Sequence, residues 1–88
     1  MRKFEYDISK SESNEAKHGI SFEAAQELWN DADAVKLEAE EHGEVRYLLI
    51  GKLYEKHWSA IFTYRRLNIR IISVRRSRKN EVKFYESK

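Results

Sequence analysis

Histidine, lysine and arginine, the side chains that move protons and hold phosphates near neutral pH, recur at telling places in this chain. Lys17 and His18 stand together in "KHGISF", residues 17–22. Asn14, Lys17 and His18 are spaced i, i+3 and i+4, and Lys10 extends the row by four, so on a helix they share one side. An imidazole with an unperturbed pKa of about 6.5 can give or take a proton at working pH. A plainer reading competes with this one. Two cations in a last helical turn complement the negative end of the helix dipole, worth about 0.3–1 kcal/mol, with Gly19 as the stop signal.

Arg46, Arg65, Arg70 and Arg75 form a second set, each among apolar residues with strand character. Arginine offers a planar fork of donors suited to phosphate oxygens. Tyr47, Tyr54, Trp58 and Tyr64 are interleaved with the basic residues. Aromatics beside arginines suit stacking on unpaired bases, and they are also ordinary strand residues. Internal salt bridges with acids of the N-terminal half are the competing use for these arginines. RNA cleavage without a metal needs a base for the 2′-hydroxyl, an acid for the leaving oxygen, and cations around the phosphate. The chain holds all of these residue types. Composition alone does not separate cleavage from plain nucleic-acid binding.

The charge is unevenly distributed. Residues 1–44 carry five Lys and Arg against twelve Asp and Glu; residues 45–88 carry twelve against three. Seven basic residues and no acid lie between Arg65 and Lys79. Such asymmetry points to a polyanion or an acidic partner, unless the two halves neutralise each other. Cysteine is absent, which excludes disulfides and thiolate metal sites. His18, His42 and His57 are too scattered for metal-ligand spacing, and no metal or cofactor is expected. No apolar run approaches a membrane span, and "MRKFEYDISK" lacks the apolar core of a secretion signal. The expectation is one soluble cytoplasmic domain over residues 1–88.

The elements that must position these residues can be read in order. "RKFEYD" alternates, with Phe4 and Tyr6 on one side, and predicts a short strand. Ser9 to Glu12 has capping-box spacing and opens a helix from about Lys10 to His18, closed by Gly19. Ser21 caps a second helix, "FEAAQELWN", with a stripe of Phe22, Ala25, Leu28 and Trp29. "DADAVKL" reads as a weak strand, and residues 38–44 as an acidic loop. Three stronger strands follow, "EVRYLLIGKL", "HWSAIFTYRR" and "LNIRIISVRR", with turns near Tyr54–Lys56 and Arg66–Asn68. A last helix capped by Ser77 would turn Val82 and Tyr85 to the core; "VKFYE" also fits a strand. The sum is α+β, with two N-terminal helices and a C-terminal helix packed on one face of an antiparallel meander sheet.

Taken in order, these residues resemble the BrnT-type toxins, the toxin half of type II toxin–antitoxin pairs. The resemblance runs nearly end to end. "FEYD" at 4–7 is similar to the family's Phe-x-Trp-Asp opening. Asn14 and "KHGISFEAA" at 17–25 are the most specific stretch. "EVR" at 44–46 with Gly51, "TYR" at 63–65, "RIISVRR" at 70–76, and Glu81 with Tyr85 complete the pattern. The chain departs from it at Arg66, where the family usually has a turn glycine, and at Val74, where it often has alanine. The resemblance implies a RelE-like fold and a ribonuclease that inhibits translation. It also implies a BrnA-type antitoxin, through which alone the pair would reach operator DNA. It carries Lys17, His18, Arg46, Arg65, Arg70 and Arg75 over as matching positions. On this reading His18 transfers protons, while Lys17, Arg65 and Arg75 hold the scissile phosphate without a metal. Arg46, Arg70, Arg76 and Tyr64 would bind the rest of the RNA. A non-catalytic nucleic-acid-binding module, or a protein whose basic strands only receive an acidic partner, are the alternatives.

Overall fold

The computed structural model describes residues 2–41 and 43–87, so His42 lies outside the described residues. Strand β1 (Phe4–Glu5) leads into helix α1 (Ile8–His18), then the short helix α2 (Phe22–Ala25) and a 3₁₀ turn (Gln26–Asn30). Strands β2 (Val35–Glu41), β3 (Glu44–Leu53), β4 (Lys56–Arg65) and β5 (Asn68–Arg76) follow, and helix α3 (Lys79–Glu86) closes the chain. The strands form one sheet in the order β1-β5-β4-β3-β2.

β2 to β5 make the expected antiparallel meander, but β1 pairs parallel to β5, so the sheet is mixed. No hairpin links β1 to β5; most of the chain lies between them, so a tight turn does not dictate their direction. The acidic stretch 38–44 is also a correction. It is mostly strand, with Glu38 paired to Tyr47 and Glu40 to Val45. An outermost strand tolerates charge that an inner one would not.

Alternation along paired strands divides the sheet into two faces. The front carries Leu49, Gly51, Ala60, Phe62, Ile71 and Val74, and α2 with the 3₁₀ turn packs there. Phe22 and Leu28 are fully buried on this side. Gly51 eases the approach: a Cβ there would lie 3.2 Å from Leu28 Cδ2, closer than ordinary contact. The edge of Phe4 meets Trp29, and Trp29 in turn meets Phe62, each at 5.1 Å between ring centres. Ile50 and Ser59 point to the back, where α3 attaches through Glu81. The helices therefore flank both faces, not one. Ser59 sits beside Arg75 in register, and the Arg75–Glu81 pair supplies the attachment on that side.

The caps explain the helix boundaries. α1 begins earlier than the Ser9 spacing implied, because the Asp7 carboxylate accepts from the Lys10 amide at 3.1 Å. Gly19, at φ +82°, ends it as expected and donates to the Glu15 carbonyl. Ser21 does cap α2, accepting from the Ala24 amide, but the helix tightens to 3₁₀ after Ala25. At α3 the Glu81 carboxylate receives the Arg78 amide at 2.8 Å, and Ser77 instead hydrogen-bonds Ser59 at 2.8 Å.

Candidate functional site

α1 is polar almost throughout, yet it lies firmly along β5. Two buried side chains tie it to its neighbours, one to α2 and one to β5. Ser11 accepts the Phe22 amide at 2.9 Å. Asn14 donates to the Ile20 carbonyl at 2.8 Å and accepts the Val74 amide at 3.1 Å. Asn14 thus ties the helix, the loop after it and β5 to one point. Buried polar groups satisfied in this way fix a geometry that apolar packing alone would leave loose.

At this junction β5 carries a bulge. Phe62 pairs with Ile71 and Ile61 with Ser73, which leaves Ile72 without an opposite residue. Bulges recur beside active sites, where they re-aim side chains. Lys17 and His18 end α1 here and line a shallow concavity of about 220 Å³ with Asn14, Ile72 and Ser73. Lys17 is exposed and His18 half-buried. The stop at Gly19 thus leaves Lys17 and His18 beside the bulge.

The back face carries four of the predicted arginines in two groups. Glu5 and Arg70 are opposite each other, as are Arg70 and Thr63. Arg46, one residue before Tyr47, extends this row onto β3 beside Ala39 of β2. Arg65 and Asn68 form the next row toward the β4–β5 turn. Glu5 joins these rows: Arg70 donates to it at 2.9 Å and Asn68 at 3.2 Å, and Arg65 stands 3.7 Å away. The Asn68 hydrogen bond, with the two arginines, holds the Glu5 carboxyl below its ordinary range. Arg46 lies 3.7 Å from Glu44.

Arg75 sits at the opposite end of the same face. Both its terminal nitrogens donate to Glu81 at 2.8 Å, the two-pronged geometry that suits a carboxylate. Ser59 and the Arg78 amide complete the shell around Glu81, which is buried. The Arg75 hydrogen bonds, helped by the Arg78 amide and the Ser59 hydroxyl, bring the Glu81 carboxyl down to about 2. Arg75 is opposite Ser59 and Asn68 opposite Arg65, six residues apart along β4. At about 3.3 Å per residue that is roughly 20 Å. Arg65 and Arg75 also turn away from each other toward different carboxylates, so they do not converge on one phosphate in this arrangement.

Two of the predicted RNA-binding residues lie elsewhere. Tyr64 and Arg76 pair with Ile69 and Trp58 and so face the front. Tyr64 receives the Lys36 ammonium at 3.4 Å and packs edge-on against Tyr47 and Phe62. Arg76 lies over Trp58 at 5.6 Å. The strand period of two separates neighbours in sequence, Arg75 from Arg76 and Tyr64 from Arg65, to opposite sides.

The ion pairs of Arg65 and Arg70 with Glu5, and of Arg46 with Glu44, are the competing use with acids of the N-terminal half; Asn68 and Glu81 were missed as partners of the arginines. The alternation of "FEYD" already put Glu5 opposite Phe4, but its pairing with Arg70 depends on a contact across most of the chain. A further polar cluster ties the end of α3 to the rest. Tyr85 donates to Asp31 at 2.8 Å, and the Lys52 amide donates to the same carboxylate oxygen. Burial and the Asp31 bond push the Tyr85 hydroxyl up to about 12. Among the described residues no group of His, Asp and Glu is arranged to hold a metal ion. Among them, too, no helix is long and apolar enough to cross a membrane.

No curated protein matches the chain. A family model does, over residues 6–81, and its description is a ribonuclease toxin, BrnT, of a type II toxin–antitoxin system. The match takes in α1, the bulge, both arginine groups on β4 and β5, and ends on Glu81, the carboxylate that seats α3. On that span the chain belongs to the BrnT family of ribonuclease toxins.

Proposed function

We propose that this protein is a metal-independent endoribonuclease toxin that arrests translation and is neutralised by a BrnA-type antitoxin. The observation that carries the reading is the junction of α1 with the β5 bulge. It presents Lys17 and His18 beside Ser73, on the margin of the face that bears Arg46, Arg65 and Arg70. An RNA strand lying along that face would reach His18 at its upper end. His18 exchanges the proton of the 2′-hydroxyl or of the leaving oxygen, and Lys17 stabilises charge on the phosphate. Arg46, Arg65 and Arg70 hold the strand through its phosphates. The roughly 20 Å between Arg65 and Arg75, six residues of strand apart, favours strand binding for Arg65 over a place at the reacting phosphate. Arg75, held by Glu81, shapes the upper end of the site.

Purified protein freed of antitoxin, incubated with end-labelled RNA with and without a chelator, tests this. Cleavage insensitive to chelator and abolished by His18→Ala is the expected result. Cleavage by His18→Ala at the wild-type rate would remove His18 from the mechanism. Salt-sensitive binding with no product under any condition would instead identify a binding module.

A further inference from the structure

Two features mark the turn between β4 and β5. Arg66 adopts φ +61°, a left-handed backbone in which a side chain is strained and glycine is not. Leu67, beside it, is 95% exposed. A sequence free to vary would place glycine and a polar residue here. Tyr54 and Glu55 take positive φ in the β3–β4 turn as well, so it is the surroundings of Arg66 that bear on a use for its side chain.

Lys3, Arg66, Leu67 and Asn68 line a concavity of about 370 Å³. The Ile69 amide donates to the Lys3 carbonyl at 2.8 Å, which fixes Lys3 beside the turn. Alternation puts Lys3 and Glu5 on the back, the same side as Asn68 and Arg70. Arg65, with 62% of its side chain exposed, borders the same end. Lys3 and Arg66 thus share one concavity at this end of the arginine face, next to Arg65, whose guanidinium stands 3.7 Å from Glu5. From Asn68 to Ser73 along β5 is on the order of 15 Å, the reach of a few nucleotides.

We infer that the Lys3–Arg66–Asn68 concavity is a phosphate subsite for RNA on one side of the cleaved bond, with Leu67 available to an unstacked base. This rests on the reading of the back face as the RNA track. The subsite acts on substrates long enough to reach the turn and is not needed for the chemistry.

Two substrates separate these roles: a ribodinucleotide that reaches only His18, and a single-stranded RNA of about a dozen nucleotides. Arg66→Gly is expected to cleave the dinucleotide as wild type does. It should bind the longer RNA about five- to tenfold more weakly at low salt, with a salt slope smaller by about 0.7. Its thermal midpoint does not fall, since relieved strain offsets the added chain entropy of glycine. Lys3→Ala is expected to weaken binding of the longer RNA in the same way. Wild-type affinity and slope in both variants would overturn the inference. A wild-type protein that cleaves neither substrate, yet loses affinity in both variants, would uphold the subsite and overturn the cleavage reading.

Discussion

Glu81 is buried and receives both Arg75 nitrogens, a serine hydroxyl and a backbone amide, while Glu5 lies near the sheet margin with a single close arginine nitrogen and a more distant second arginine. The chemistry of the two pairs is the same and their settings are not. Around Glu81 the donors converge from three elements, so the pair seats α3 on the sheet. Around Glu5 the guanidinium of Arg65 remains mostly in solvent, so the same attraction orients a cation without consuming it. An arginine among apolar strand residues can thus be closed into the architecture or left open to solvent, and the packing around its carboxylate separates the two.

The strongest way to break this contrast is to remove the carboxylate from the closed pair. Glu81→Ala leaves Arg75 and Ser59 without this acceptor, and a loss of about 3 kcal/mol is expected in chemical denaturation. Glu5→Gln should leave the midpoint almost where it was.

Acid provides a gentler probe of the same pair. The Glu81 carboxyl titrates at about 2 in the folded chain against an ordinary 4.5. The folded state therefore binds this proton less readily than the unfolded state. Its contribution is complete above about pH 4.5 and is lost as pH falls through 2. After allowance for partial solvent screening, about 2 kcal/mol should disappear over that window. Urea melts at pH 5 and pH 2.5 check this, and Glu81→Gln should flatten that part of the dependence.

Ser59→Ala deletes one donor from the shell, and about 1 kcal/mol is expected in the same assay. The smallest effect sharpens the other side of the comparison. With its negative charge removed, Glu5→Gln should raise affinity for single-stranded RNA a few-fold at low salt, read by fluorescence anisotropy. An unchanged or weaker affinity would mean that Glu5 occupies Arg65 and Arg70 as fully as Glu81 occupies Arg75.

Local chemistry made much of this fold legible. Gly19 and Ser21 read correctly as stop and start, and the hairpins fell where the apolar runs broke. Tyr54 and Glu55 both take positive φ in the β3–β4 turn without glycine. The misreadings mostly share a cause: the deciding partner is distant in sequence. The α1 cap is the local exception, where Asp7 outcompeted Ser9, whereas Ser77 was drawn to Ser59 on β4. The charges of 38–44 looked like a loop because nothing local shows that β2 is outermost. At the site, the residue types and the Lys17–His18 spacing were visible. The division of the arginines was not, because β4 and β5 carry Tyr64 and Arg65, and Arg75 and Arg76, to opposite faces. The bulge at Ile72 was likewise hidden, since it is a property of two strands in register.

Asn14 has one more effect, which concerns the protein in company with its own copies. By taking up the Val74 amide it closes the stretch of β5 that the two-residue β1 leaves uncovered. At the far side β2 presents exposed Glu38 and Glu40, which would meet the same acids on a second copy. Both margins of the sheet thus resist extension by another identical chain. The two edges are guarded by different means, a side-chain amide on β5 and like charge on β2.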